Sequence, residues 1–260
     1  MATTERGLST TLRSSGRSAA LADERLLPVV PALAPLLPNQ GLRRGSTVAV
    51  GRSAALALAL VAGASAAGSW VAAVGLPDLG IVAAAETGVT LERLALVPSP
   101  GPRAWPTVVA ALLDAIDVVL VRSPPGLPPA QARRLAARAR ERGAVLVPLG
   151  PWSEPADLRL AVTASAWHGL GQGHGTLRAR QVEVAVTGRG PATRERRALL
   201  WLPGSDGAIA AAGSPGGVDG GSRGGVDSRW RPLQGPATLP LRGAESRGVG
   251  FSRAPMADAG

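Results

Sequence analysis

Residues 41–67, GLRRGSTVAVGRSAALALALVAGASAA, carry the reading of the fold. STVAV at 46–50 is short and rich in β-branched residues, as a buried strand is, and the Ala/Leu run at 54–67 is a helix with no polar face. A strand without polar alternation and a helix apolar all round must each be covered on both sides. The same pairing repeats outward from this stretch. Strands are expected at 70–74, 94–97, 117–121 and 144–149, and helices at 78–88, 105–115 and 128–142. Continuous apolar strands alternating with helices imply a parallel sheet covered on both faces. Beyond 150 the pattern changes to period 2: LRLAVTASAW (158–167) and RQVEVAVTG (180–188) read as antiparallel strands, and ALLWL (198–202) adds another. The expected fold class is therefore α/β: a mostly parallel sheet flanked by helices, with an antiparallel edge extension and a disordered C-terminal tail.

The flanks read differently. Residues 1–25 carry Arg6, Arg13 and Arg17 among Ser and Thr with no apolar stretch behind a charged start, so a flexible arm is expected and a secretory signal is not. Residues 26–38, LLPVVPALAPLLP, are apolar but hold four prolines, which suits an extended strap across a core and not a helix. The core is expected to span 26–203. Residues 204–260, with the repeated GGVD at 216–219 and 224–227, are too rich in Gly, Ser and Pro to offset the entropy of ordering and are expected to be a tail.

Composition narrows the chemistry. The 260 residues include no Cys, 2 His and 28 basic residues against 18 acidic, and every basic residue is Arg. Without Cys there is no disulfide framework, thiolate nucleophile or Cys-based metal site. Without Lys there is no Schiff base and no phosphate-loop lysine. His168 and His174 flank a Gly-rich turn with no third ligand near them, and are expected to be hairpin-loop residues without a metal. GLGQGHG (169–175) joins two strand-like segments and lacks the dinucleotide spacing. Ser123 has no His–Asp pair nearby. The uncharged run 53–77 is long enough to span a bilayer, but its Ala and Gly content favours a buried helix, a turn and a strand.

The order of parts, GLRRGSTVAVG, an Ala/Leu helix, a strand, GVTLERLALV, then AIDVVLVRSPPG, resembles the RecA-like ATPase core. Between about 36 and 190 it is similar to the ImuA (ImuA-prime) group of RecA homologues from bacterial mutagenesis cassettes. Against that pattern the phosphate loop is degenerate. Gly51 ends the strand, Arg52 and Ser53 follow, and Leu56, Ala57 and Leu58 stand where the second glycine, the lysine and the hydroxyl ligand belong. Arg122 stands in place of the magnesium-binding Asp, residues 74–77 (Val-Gly-Leu-Pro) in place of the catalytic Glu, and Gly150 near that of the γ-phosphate-sensing Gln. No enzyme activity, bound cofactor or metal is expected.

The loops that bind DNA in RecA correspond to SPPGLPP (123–129) and GPWSEP (150–155), which lack length and a basic–aromatic mixture. A basic patch is expected instead from Arg134, Arg138 and Arg142, spaced i, i+4, i+8 on one helix, with Arg178 and Arg180, leaving non-specific DNA contact open. The resemblance implies a cytoplasmic, non-catalytic adaptor of a DNA-damage-induced translesion synthesis assembly. Its partners would be an ImuB-like Y-family polymerase homologue and an alternative α-type DNA polymerase, with self-association open and no membrane. Two readings stand beside it: a SulA-like inhibitor of cell division, and a weak nucleotide- or DNA-binding RecA paralogue.

Overall fold

The computed structural model describes residues 25–170, 175–190 and 194–212. The parallel part of the sheet is built from β3 (Val48–Val50), β4 (Val71–Val74), β5 (Leu94–Val97), β6 (Val118–Val121) and β7 (Val145–Pro148). Between them lie α1 (Ala54–Ala66), α2 (Ile81–Glu86), α3 (Trp105–Ala115) and α4 (Pro129–Arg142). Strands pair in parallel in the order β5–β4–β6–β7. Parallel bridges Thr47–Leu146 and Val50–Leu149 then join β7 to β3.

From β3 the sheet continues through β8 (Leu158–Leu170), which is parallel to it. Antiparallel β9 (Gly175–Gly188), β10 (Arg196–Trp201) and β11 (Ala210–Ala211) complete that side. The architecture is thus the expected mixed α/β one, and Asp157 fastens its junction by accepting the Thr47 N–H at 2.8 Å.

Alternation within apolar strands sorts their side chains to two cores. Val71, Ala73, Val118, Leu120, Val145 and Val147 face one, with α1. Ala72, Val74, Val119, Val121 and Leu146 face the other, with Trp105, Val109 and Leu113 of α3 and Ala132, Leu135 and Ala139 of α4. Both cores exclude water, which is why these strands show no polar alternation. The helix α1 is buried all round because the segment preceding β3 lies over it. That segment pairs β1 (Leu26–Pro28) antiparallel with β2 (Gly41–Arg43) and carries a one-turn 3-10 helix at Ala34–Leu36. The strap crosses α1 at Gly63, where a Cβ would stand 2.5 Å from the Val29 carbonyl carbon. Only the missing side chain lets the two backbones approach.

Differences from expectation are local. The helix expected at 78–88 is shorter, because residues 76–79 form a turn, Leu79 N–H donating to Leu76 O, and α2 begins only after Gly80. The boundary expected at 203 falls too early. Gly204 N–H donates to Ala208 O, Ala210–Ala211 pairs with β10, and Ala212 N–H donates to Leu199 O. Small residues suffice here because an edge ladder is held by backbone bonds and needs little side-chain burial. Residues 1–24 and 213–260, which include the arm and most of the tail, lie outside the described residues. No helix among the described residues is long and apolar enough to cross a membrane.

Candidate functional site

Only Gly51, Arg52 and Ser53 separate β3 from α1. The Gly51 N–H donates to Leu160 O at 2.8 Å and so belongs to the sheet. Ser53 is the N-cap of α1: its Oγ accepts the Leu56 N–H at 3.2 Å and its carbonyl accepts the Ala57 N–H at 3.1 Å. Leu56 and Ala57 are fully buried and Leu58 nearly so. These three positions lie within the first turns of a core helix, not on a loop that wraps an anion. A phosphate loop needs a series of free N–H groups converging on one point, and here three of them are already bonded.

The neighbouring strand ends are equally altered. Gly75 turns at φ +73° with its N–H on Val97 O, and a Cβ there would meet Arg122 O at 2.7 Å. Arg122 directly follows β6; its backbone N–H donates to Val74 O, and its half-exposed side chain lies 3.9 Å from the exposed Asp78 carboxylate. Gly150, at φ +91°, donates to Val50 O and starts the loop after β7.

Together the carboxyl ends of β3, β6 and β7 and the start of β8 enclose a cleft of about 1030 Å³. Arg52, Arg122 and Arg159 supply its charge, Pro124, Pro125, Leu127, Leu149 and Pro151 its apolar walls, and no carboxylate among the described residues lines it. Arg159 donates to the Glu154 carbonyl at 3.2 Å, which leaves its charge uncompensated. Arg52 makes no ion pair among the described residues. Ser123 Oγ and Trp152 Nε1, both of cleft-lining residues, are buried without a hydrogen-bond partner. A smaller cavity of about 340 Å³ adjoins the N-terminus of α1; Arg52 and Arg180 line it together with Ser53. Arg180 packs its guanidinium over the Trp167 ring at 5.7 Å, and partial burial pushes its pKa down.

The expected basic patch is divided by the fold. Arg138 and Arg142 on α4 both bind Asp114 of α3, Arg138 through two hydrogen bonds and Arg142 through Nε at 3.0 Å. The hydrogen bond from Arg138, aided by the charges of Arg138 and Arg142, holds the Asp114 carboxyl below its ordinary value. Arg133 is likewise fastened to Glu154 by two bonds of 3.2 Å. Arg134 stays exposed and free of ion pairs among the described residues. Arg178 is exposed on β9, and Arg180 belongs to the cavity beside α1. Neither β9 residue extends the α4 row.

His168 sits in β8 with its ring edge-on to Trp201 at 4.9 Å, while His174 lies outside the described residues. Among the described residues no group of His, Asp and Glu has the three members a metal ion needs. Arg159 escaped the sequence reading. On an alternating strand it looks like any outward polar residue, and only the loops after β6 and β7 bring it to the cleft.

Known proteins share parts of this chain. Residues 35–154 match the family described as MT3502 N-terminal domain. The Mycobacterium tuberculosis protein Rv3395c, described as uncharacterized, is 46% identical over 100 residues, which are 37% of this chain and 48% of that protein. The match thus spans about half the length of that relative. The crystal structure of the RadB recombinase aligns at a TM-score of 0.49 and 16% identity, over 70% of this chain and 97% of that one.

Proposed function

We propose that this protein is a non-catalytic adaptor of a DNA-damage-induced translesion synthesis assembly, docking an ImuB-type Y-family protein and an alternative α-type polymerase. The observation that carries the non-catalytic half is the burial of Leu56, Ala57 and Leu58 in the core, which leaves nucleotide no phosphate loop to bind. The docking half is supported by the edge of the sheet at β5. Among the described residues that strand pairs on one side only, with β4. Exposed apolar side chains include Leu96 on that strand, Leu91 in the turn before it, Trp70 just before its partner β4, and Ile81 and Val82 on α2, Val82 to 72%. A one-sided strand flanked by exposed apolar side chains invites a protein partner.

The test is affinity purification from DNA-damaged cells under nuclease treatment, comparing wild type with Val82→Asp/Leu96→Asp. Nuclease-resistant recovery of a Y-family-type and an α-type polymerase, lost in the double variant, is the expected result. Recovery of the tubulin-like division protein instead would move the protein to the cell-division inhibitor class. Polymerases that vanish with nuclease would make DNA contact the basis of the association and refute direct docking.

A further inference from the structure

We infer that the cleft at the carboxyl ends of the parallel strands binds an acidic peptide segment that carries apolar side chains between its carboxylates. The site is separate from the β5 edge and does not depend on what docks there.

Arg52, Arg122 and Arg159 line this cleft together, with no carboxylate among the described residues of the lining. The 3.9 Å approach of Arg122 to a largely exposed Asp78 is the one ion pair any of them makes among the described residues. Some other arginines, Arg133, Arg138, Arg142 and Arg197 among them, are paired with an acid, and others such as Arg134 are exposed without an ion pair among the described residues; Arg52, Arg122 and Arg159 differ in lining one concavity together. Positive charge is therefore left uncompensated in a concavity, which suits an anionic ligand held by bidentate guanidinium contacts. Trp152 Nε1 and Ser123 Oγ, of two residues of the same lining, are buried without a hydrogen-bond partner. Trp152 is 93% buried, being 7% exposed.

The lining also decides which anion fits. Its walls are proline and leucine, so a bare phosphate or pyrophosphate would leave them uncovered, whereas Leu- or Val-type side chains between carboxylates would cover them. Single-stranded nucleic acid calls for exposed aromatic faces on which bases stack. Trp152, the one aromatic residue among the described residues of the lining, is buried. A duplex calls for a continuous basic track running beyond the cleft, and on α4 that track is interrupted, because Arg133, Arg138 and Arg142 are paired with Glu154 and Asp114.

The experiment is fluorescence anisotropy with the full chain and a labelled peptide of about ten residues alternating Glu and Leu. Arg122→Gln/Arg159→Gln is expected to weaken binding roughly tenfold, the combined effect of two largely exposed charge pairs. Arg178→Gln, at an exposed site on another strand, is expected to leave binding unchanged, and a Glu–Ser peptide to bind several-fold more weakly. Thermal melts of all variants should match wild type, because these side chains are exposed. Equal weakening by Arg178→Gln would reduce the effect to overall charge and overturn the site. Equal affinity for the Glu–Ser peptide would overturn the acidic–apolar specificity. Displacement of the peptide by a stoichiometric single-stranded oligonucleotide or by pyrophosphate, with either bound more tightly in an Arg122- and Arg159-dependent way, would assign the cleft to phosphate and likewise overturn the inference.

Discussion

Rewriting the altered phosphate loop as Leu56→Gly, Ala57→Lys, Leu58→Thr provides the sharpest test of the proposal that the fold of this segment leaves nucleotide no phosphate loop. If the loss were a matter of residue identity alone, the triple variant would regain a phosphate loop. The structure predicts that it unfolds instead. Leu56 is 0% exposed, so its replacement by Gly forfeits about 2–5 kcal/mol of packing and about 1 kcal/mol of helix propensity. Ala57 is also 0% exposed, and a lysine there brings an ammonium into the core with no carboxylate, a cost of several kcal/mol. Leu58→Thr adds about 1–3 kcal/mol by exchanging an apolar group for an unpaired hydroxyl. These neighbours will not add strictly, but the total is comparable with the roughly 5–15 kcal/mol by which a domain is stable. Thermal melts followed by circular dichroism, alongside titration with a fluorescent ATP analogue and magnesium, read both consequences. The expected result is loss of a cooperative transition and no nucleotide-dependent signal. A variant melting within about 2 °C of wild type and binding the analogue would show that residues 54–58 can leave the helix, and would refute the reasoning.

Other outcomes follow from single contacts. Gly63→Ala places a Cβ 2.5 Å from the Val29 backbone, so the strap must lift; a loss of about 1–3 kcal/mol is expected, with faster hydrogen exchange over 26–38. Trp201, only 9% exposed and in edge contact with His168, is a packing residue, and Trp201→Ala should cost about 3–5 kcal/mol in a thermal melt. Asp114→Asn releases Arg138 and Arg142, so the variant should elute from heparin at higher salt than wild type. The folded Asp114 pKa lies below its ordinary 3.8, so its contribution to stability is complete above about pH 4 and fades as pH falls through the lower folded value. The stability gap between wild type and Asp114→Asn should therefore narrow on acidification below that point, as measured by melts across the acid range.

Much of the fold was legible along the chain. The strand at 94–97 and the helix at 105–115 were read with their observed ends, because strong periodicity and Pro106 in the first helical turn mark them locally. The helix at 78–88 was read too long because Gly80 and the turn before it interrupt a sequence that is otherwise a good helix former. β11 was missed since two alanines at a sheet edge carry no apolar signal, and their ladder bonds depend on β10 arriving beside them. The site was less legible. The row Arg134, Arg138, Arg142 was visible from helical spacing, but Asp114, which neutralises two of its members, lies 24 and 28 residues away.

An α/β chain without lysine, cysteine or a complete phosphate loop can be read along the residues alone, because composition and hydrophobic period are local properties. That residues 56–58 are core and not loop follows from packing, since burial depends on the strap that covers α1. The same holds for charge. Which arginines are neutralised and which stay uncompensated around a cleft is set by strand order, which brings Arg52, Arg122 and Arg159, separated by up to 107 residues in the chain, to one concave surface.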